Sequence, residues 1–255
     1  MSSSSLASSP TRGDATPREG SRAVVDDPAA CLAPGRFVDS DAPEVVAYAE
    51  RTVGDARDEI DKARRLYLAV RDDLRYDPYR ISSVAEEFRA SRTLRRGYGF
   101  CITKAAVLAA VARAQGIPAR LGFADVRNHL CTPKLRELMG GNDVFVFHGF
   151  TELYLRGKWV KATPAFNRSL CEKAGVLALE FDGEHDSIFQ PYDPAGRRHM
   201  EYLRFRGVYL DIPFQEMLVC FIEAYGPEVM MKLAESAADD GRDFERELDS
   251  PRTTA

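Results

Sequence analysis

The sequence predicts an α+β fold, on three observations. Ile60, Ala63, Leu66, Tyr67, Val70 and Leu74 recur at helical spacing with charges on the opposite face, which predicts a helix over about Asp55–Arg75. From Cys101 to Gln115 the chain is alanine-rich and almost wholly apolar, so the helix predicted there is central and packed on more than one side. Val144 to Leu155 and Trp159 to Ala162 carry the strongest strand signal, joined through Arg156-Gly157-Lys158 as a hairpin.

The remaining elements follow in order. Residues 1–26 are rich in Ser, Pro, Gly and Thr and poor in large apolar side chains, and are expected to form a disordered tail. A short apolar patch, Cys31, Leu32, Phe37 and Val38, is expected to dock on the domain. Pro43 suits the first position of a helix running from Glu44 to about Arg51. Pro78 ends the next helix, because proline disfavours helix in the residue before it. A loop and one further helical turn, Val84 to Ala90, then lead through Thr93 to a glycine-punctuated loop before Cys101.

Gly116 and Pro118 stop the central helix. A first strand over Ala119–Ala124 and a short helix over Lys134–Met139 are expected before the hairpin. After Asn167, residues 180–196 read as an acidic loop, with helices at about Arg197–Phe205 and Pro213–Tyr225 and a fraying, charged end from Glu235. The expected organisation is one domain over 27–235, with its core at about 55–170, flanked by the tail 1–26 and a charged tail 236–255.

Net charge is −4 with both signs interspersed and 29% of residues charged, so neither a nucleic-acid footprint nor a basic membrane face is expected. No window reaches the apolar length of a membrane span. Five cysteines, Cys31, Cys101, Cys131, Cys171 and Cys220, are scattered and odd in number, unlike a disulfide framework. The N-terminus lacks the apolar core of a secretory signal, and a cytoplasmic protein is expected.

Cys101 is the candidate centre of chemistry. A thiol at a helix start faces unpaired backbone N–H groups and the positive end of the helix dipole, both of which favour the thiolate. Of the four histidines, His129, His148, His185 and His199, only His148 lies on a strong strand. Alternation puts Val146, His148, Phe150, Glu152 and Tyr154 on one face. A two-residue turn at Arg156-Gly157 would pair Leu155 with Lys158, Phe150 with Thr163 and His148 with Ala165. Thr163, and Asn167 if pairing continues, would then be neighbours able to orient the imidazole.

These residues carry a resemblance. Gly97-Tyr98-Gly99-Phe100-Cys101, the apolar helix and Gly116-Ile117-Pro118-Ala119-Arg120 resemble the core of the transglutaminase-like family. His148-Gly149-Phe150-Thr151-Glu152-Leu153-Tyr154 is similar to its H-x-W-x-E-x-Y motif, with phenylalanine for tryptophan. Trp159-Val160-Lys161-Ala162-Thr163-Pro164 is similar to its W-V-x-x-D-P motif, with Thr163 for aspartate. The resemblance implies a papain-like arrangement in which the nucleophile helix packs on an antiparallel sheet, with additional helices. It implies Cys101 as nucleophile, His148 as base and Thr163 at the third position. An aspartate there would fix the histidine tautomer and stabilise its cation; threonine brings no charge, although papain-like enzymes work with a neutral asparagine.

Tyr98 is a candidate oxyanion-hole or pocket-wall residue, and Glu152 a candidate for bonding loops near the site. Arg95 and Arg96 read as an exposed basic loop. His129-x-Cys131 with Cys171 lacks the paired spacing of zinc ligands, and Asp182, Glu184, His185 and Asp186 lack the spacing of a calcium loop. No cofactor or metal is therefore expected. The expected activity is that of a cysteine acyltransferase or hydrolase acting on a peptide or carboxamide through a thioester. The alternative is a binding or scaffold module impaired at Thr163. Substrate identity and oligomeric state are not legible.

Overall fold

The computed structural model describes residues 25–237, apart from 130, 191 and 194, together with residues 244–247. Residues 1–24 of the expected N-terminal tail and most of the C-terminal one lie outside the described residues; the last two residues of the former are ordered, Val25 being buried and Asp26 paired with Arg120 at 2.6 Å. Helix α1 (Pro43–Val53) opens on proline, and α2 (Glu59–Asp73) is capped by Asp58, whose carboxylate accepts the Ile60 N–H at 3.0 Å. Two short parallel strands, β1 (Arg75–Tyr76) and β2 (Tyr98–Gly99), flank α3 (Ala90–Arg96). The central helix α4 (Cys101–Ala114) follows β2 directly.

Helix α4 buries 12 of its 14 residues, as its sequence requires. Helices α1 to α3 pack around it, and on its other side lie strands β3 (Ala119–Asn128) and β4 (Val144–Leu155). Each buried Val, Leu or Ile contributes roughly 1.5–3 kcal/mol, so this one helix supplies much of the core. Its only lysine, Lys104, is fully buried and donates to the carbonyls of Arg71 at 2.9 Å and Leu74 at 2.6 Å. The ammonium thereby satisfies carbonyls left open at the end of α2.

Strand β4 pairs with β5 (Lys158–Ala162), and β3 with β6 (Met200–Tyr209), giving an antiparallel sheet of order β5-β4-β3-β6. Helix α5 (Pro133–Leu138) links β3 to β4, and α6 (Arg168–Ala174) follows β5. Arg156 and Gly157, with φ of 47° and 82°, form the two-residue turn that pairs Leu155 with Lys158. Helices α7 (Phe214–Tyr225), α8 (Pro227–Ala237) and α9 (Phe244–Glu247) complete the described chain. No helix among the described residues is long and apolar enough to cross a membrane.

Four expectations are corrected. Arg197–Phe205 is not helical: Met200–Tyr209 is the edge strand β6, and its register shifts twice against β3. Those bulges erase the period-two alternation by which a strand is recognised. The loop before Cys101 contains a helix, α3, closed by Gly97 at φ 74°. The C-terminal tail does not wholly fray: the Phe244 ring packs on Tyr76 and Tyr79, and Glu247 bonds Tyr79 and Lys134. The even alternation along β4 breaks at Phe147, where φ is 58° and Val146-Phe147 lie opposite the single residue Asp125.

Candidate active site

The position of Cys101 is set from two directions. Thr103 accepts the Phe100 N–H at 3.0 Å and so starts α4 at the cysteine. Across from it, Gly149 of β4 lies so close that a Cβ there would stand 2.9 Å from Ile102 Cα and 3.4 Å from the Cys101 carbonyl oxygen. Glycine is needed for this contact. Strand and helix start meet at the residue after His148, and the Gly149 N–H faces the Cys101 sulfur.

Cys101 is half-buried and packs on a small cluster formed by Ala124, Val126, Phe150, Ala165, Phe189 and Met200. His148, on the same stretch of β4, is 4% exposed. Its imidazole lies edge-on to the rings of Phe189 and Tyr202, at 6.2 and 6.3 Å between centroids.

Electrostatics differ from the expectation drawn from the helix start. Burial pushes the Cys101 thiol up to about 11, against the N–H groups of Gly149, Ile102 and Cys101 itself, which pull it down. Burial alone pushes His148 down to about 4. Loss of water thus outweighs the helix dipole and favours the neutral form of both the thiol and the imidazole.

Thr163 does not act as an orienting hydrogen-bond partner. His148 Nε2 is buried without a hydrogen bond, and the Thr163 hydroxyl faces the Tyr202 phenol rather than the imidazole. Strand β5 ends at Ala162, so the projected pairing of Phe150 with Thr163 and His148 with Ala165 does not form. The Thr163 backbone turns elsewhere: its N–H bonds the Ser187 carbonyl at 3.0 Å, and its carbonyl accepts the Tyr67 hydroxyl at 3.1 Å. Thr163 thereby anchors the loop that carries Phe189.

The other candidates have structural partners. Asn167 accepts the Tyr76 N–H on its side-chain oxygen at 2.9 Å and donates its amide N–H to the Ser169 hydroxyl at 2.8 Å, which ties β1 to the start of α6. Glu152 pairs with the buried Arg120 at 2.7 Å, whose guanidinium lies 4.0 Å from the Trp159 ring centroid. Tyr98 is stacked by Arg80 and Arg96, at 4.9 and 5.2 Å. Arg95 is paired with Glu44 on the surface.

Phe189 and Tyr202 are the residues that sequence reasoning missed. Phe189 lies in a loop without periodicity, and Tyr202 lies in the stretch read as helix. Among the described residues no group of three or more His, Cys, Asp or Glu is placed to hold a metal ion.

A cysteine at the start of a buried helix, packed on an antiparallel sheet whose facing strand carries a histidine next to the contact residue Gly149, defines an α+β domain of the papain-like kind. Residues 46–164, a little under half of the chain, match the family model of the transglutaminase-like superfamily, and this segment is a transglutaminase-like domain. All three motifs lie within those bounds, whereas Asn167 lies outside them. A solved structure of a protein provisionally named a cysteine protease, from Cytophaga hutchinsonii, is similar at 22% identity with a TM-score of 0.43, covering 55% of this chain and 42% of that one. A second, provisionally named a protease, from Parabacteroides distasonis, is similar at 17% identity with a TM-score of 0.35, covering 56% of this chain and 26% of that one. The matched region is less than half the length of either protein, and TM-scores this low carry no argument about activity. No curated protein matches the chain.

Proposed function

We propose that the protein is a cysteine-dependent acyl-transfer or hydrolytic enzyme acting on a peptide or carboxamide, with Cys101 as nucleophile and His148 as base. The observation that carries this reading is the contact of Gly149 with the start of α4, which sets the residue beside His148 against the Cys101 sulfur. From a neutral pair, the imidazole takes the thiol proton as sulfur attacks the carbonyl carbon. In this reading the N–H groups at the helix start receive the developing oxyanion. Collapse expels the amine, which takes the proton back from His148, and leaves a thioester. Water then yields an acid, or a second amine a transferred acyl group. A cytoplasmic setting is part of this proposal, in keeping with the odd and scattered set of cysteines in the sequence.

The test is alkylation of Cys101 by iodoacetamide, followed by mass spectrometry, in wild type and in His148→Ala. The proposed base predicts slower labelling in the variant, by about tenfold or more. Equal rates would remove His148 from the mechanism.

The orphaned His148 Nε2 favours a second reading, a binding module that keeps the fold with little turnover. It predicts no hydrolysis of acyl substrates by wild type and a gain in thiol reactivity on Thr163→Asp, because a carboxylate would stabilise the imidazolium.

A further inference from the structure

His148 is held without a hydrogen bond at Nε2, yet its ring is not loose. Phe189 and Tyr202 present themselves to it at interplanar angles of 61° and 76°. Such edge-to-face contacts have preferred geometry and stabilise by about 0.5–1.5 kcal/mol beyond burial. The two rings are linked to each other and to the third motif position. The Phe189 N–H faces the Tyr202 hydroxyl, and the loop bearing Phe189 is pinned to Thr163 through the carbonyl of Ser187. Tyr202 comes from the edge strand β6 and is 36% exposed, so it stands between the buried imidazole and solvent.

We infer that Tyr202 is a positioning residue for His148: its ring and that of Phe189 hold the imidazole beside the start of α4 and keep water from it. This is the orienting task that a polar side chain at position 163 would otherwise perform. The inference rests on the proposed Cys101–His148 chemistry for its consequence, but its geometry stands apart from that reading.

The clamp differs from a carboxylate in one respect. It fixes the ring's orientation and adds no charge, so it favours the neutral imidazole. The titratable groups around His148 are the Cys101 thiol on α4 and the Tyr202 phenol on β6. Asp125, in the bulge on β3, is already engaged by Arg206. With burial as the one cause lowering the His148 pKa, whatever admits water must raise it.

The experiment is an NMR titration of histidine-labelled full-length protein, with His148→Gln to assign the signal among four histidines. Cys101 alkylation rates are measured in parallel. Tyr202→Ala should raise the His148 pKa by about one unit or more towards its ordinary value. It should also slow His148-dependent alkylation about tenfold. Tyr202→Phe, which keeps the ring, should change neither by much. Leu203→Ala, at an exposed neighbour on the same strand, should leave both unchanged. Should the alanine variant fail to fold, Tyr202→Thr keeps a strand-favouring side chain without the ring and should act in the same direction.

An unshifted His148 titration in Tyr202→Ala would overturn the inference, as would equal effects of the phenylalanine and alanine variants. If the titration shifts while alkylation is indifferent to both Tyr202→Ala and His148→Ala, the clamp stands and the proposed chemistry falls.

Discussion

Gly149 and Ile102 touch backbone to backbone: a Cβ on the glycine would lie 2.9 Å from Ile102 Cα. This contact joins the strand of His148 to the helix of Cys101, and neither side can yield without moving a main chain. Gly149→Ala should therefore cost about 1–3 kcal/mol through overpacking. It should also separate the pair, so that Cys101 alkylation becomes independent of His148. A denaturant midpoint and the labelling rate together check this. Wild-type values of both would mean that the contact is not the hinge of the site.

The buried imidazole makes stability depend on pH. His148 takes up its proton near pH 4 in the folded chain and near 6.5 when unfolded. Between those values the unfolded state binds more protons, so stability rises with pH. It is fully present above about 6.5 and is lost progressively as pH falls to about 4, the total being on the order of 3 kcal/mol. His199, also depressed by burial, acts in the same direction. Urea titrations from pH 4 to 7 should show this slope, and it should flatten in His148→Gln. An unchanged slope in that variant would place the acid sensitivity elsewhere.

Glu152 belongs to stability rather than to the chemistry of the site. Its carboxylate meets Arg120 at 2.7 Å where both side chains are buried, and Arg120 in turn covers Trp159. Glu152→Ala would leave Arg120 with Asp26, at 2.6 Å, as its one remaining carboxylate, and should destabilise by about 1–3 kcal/mol. The double variant with Arg120→Met should cost less than the sum of the two single changes. Per folded molecule, Cys101 reactivity should remain as in wild type. A loss of reactivity without a loss of stability would return Glu152 to the site.

Lys104 is a second buried cation, used as a cap. Lys104→Met keeps the volume and strips the Arg71 and Leu74 carbonyls of their donor. The expected cost is about 1–3 kcal/mol, read by thermal or urea unfolding. A neutral or stabilising outcome would mean that burying the ammonium, whose pKa is pushed down to about 7, already costs as much as its two bonds contribute.

Elements whose pattern is local were legible in the chain alone. The period of Ile60 to Leu74, the continuous apolar run after Cys101 and the turn at Arg156-Gly157 each state their structure within a few residues. Cys101 and His148 could be singled out because one opens such a run and the other sits on such a strand. What the sequence could not disclose depends on contacts between distant segments. Bulges in β6 hid a strand behind an irregular pattern, and the bulge at Phe147 broke the face count along β4. The ionisation of Cys101 and His148 was decided by how much water the packed rings exclude, which outweighs the helix dipole visible at the helix start. The aromatic neighbours of His148 come from a loop and an edge strand roughly 40 and 50 residues further on. Only the folded chain could show that packing by Phe189 and Tyr202, rather than a bond from Thr163, surrounds that ring.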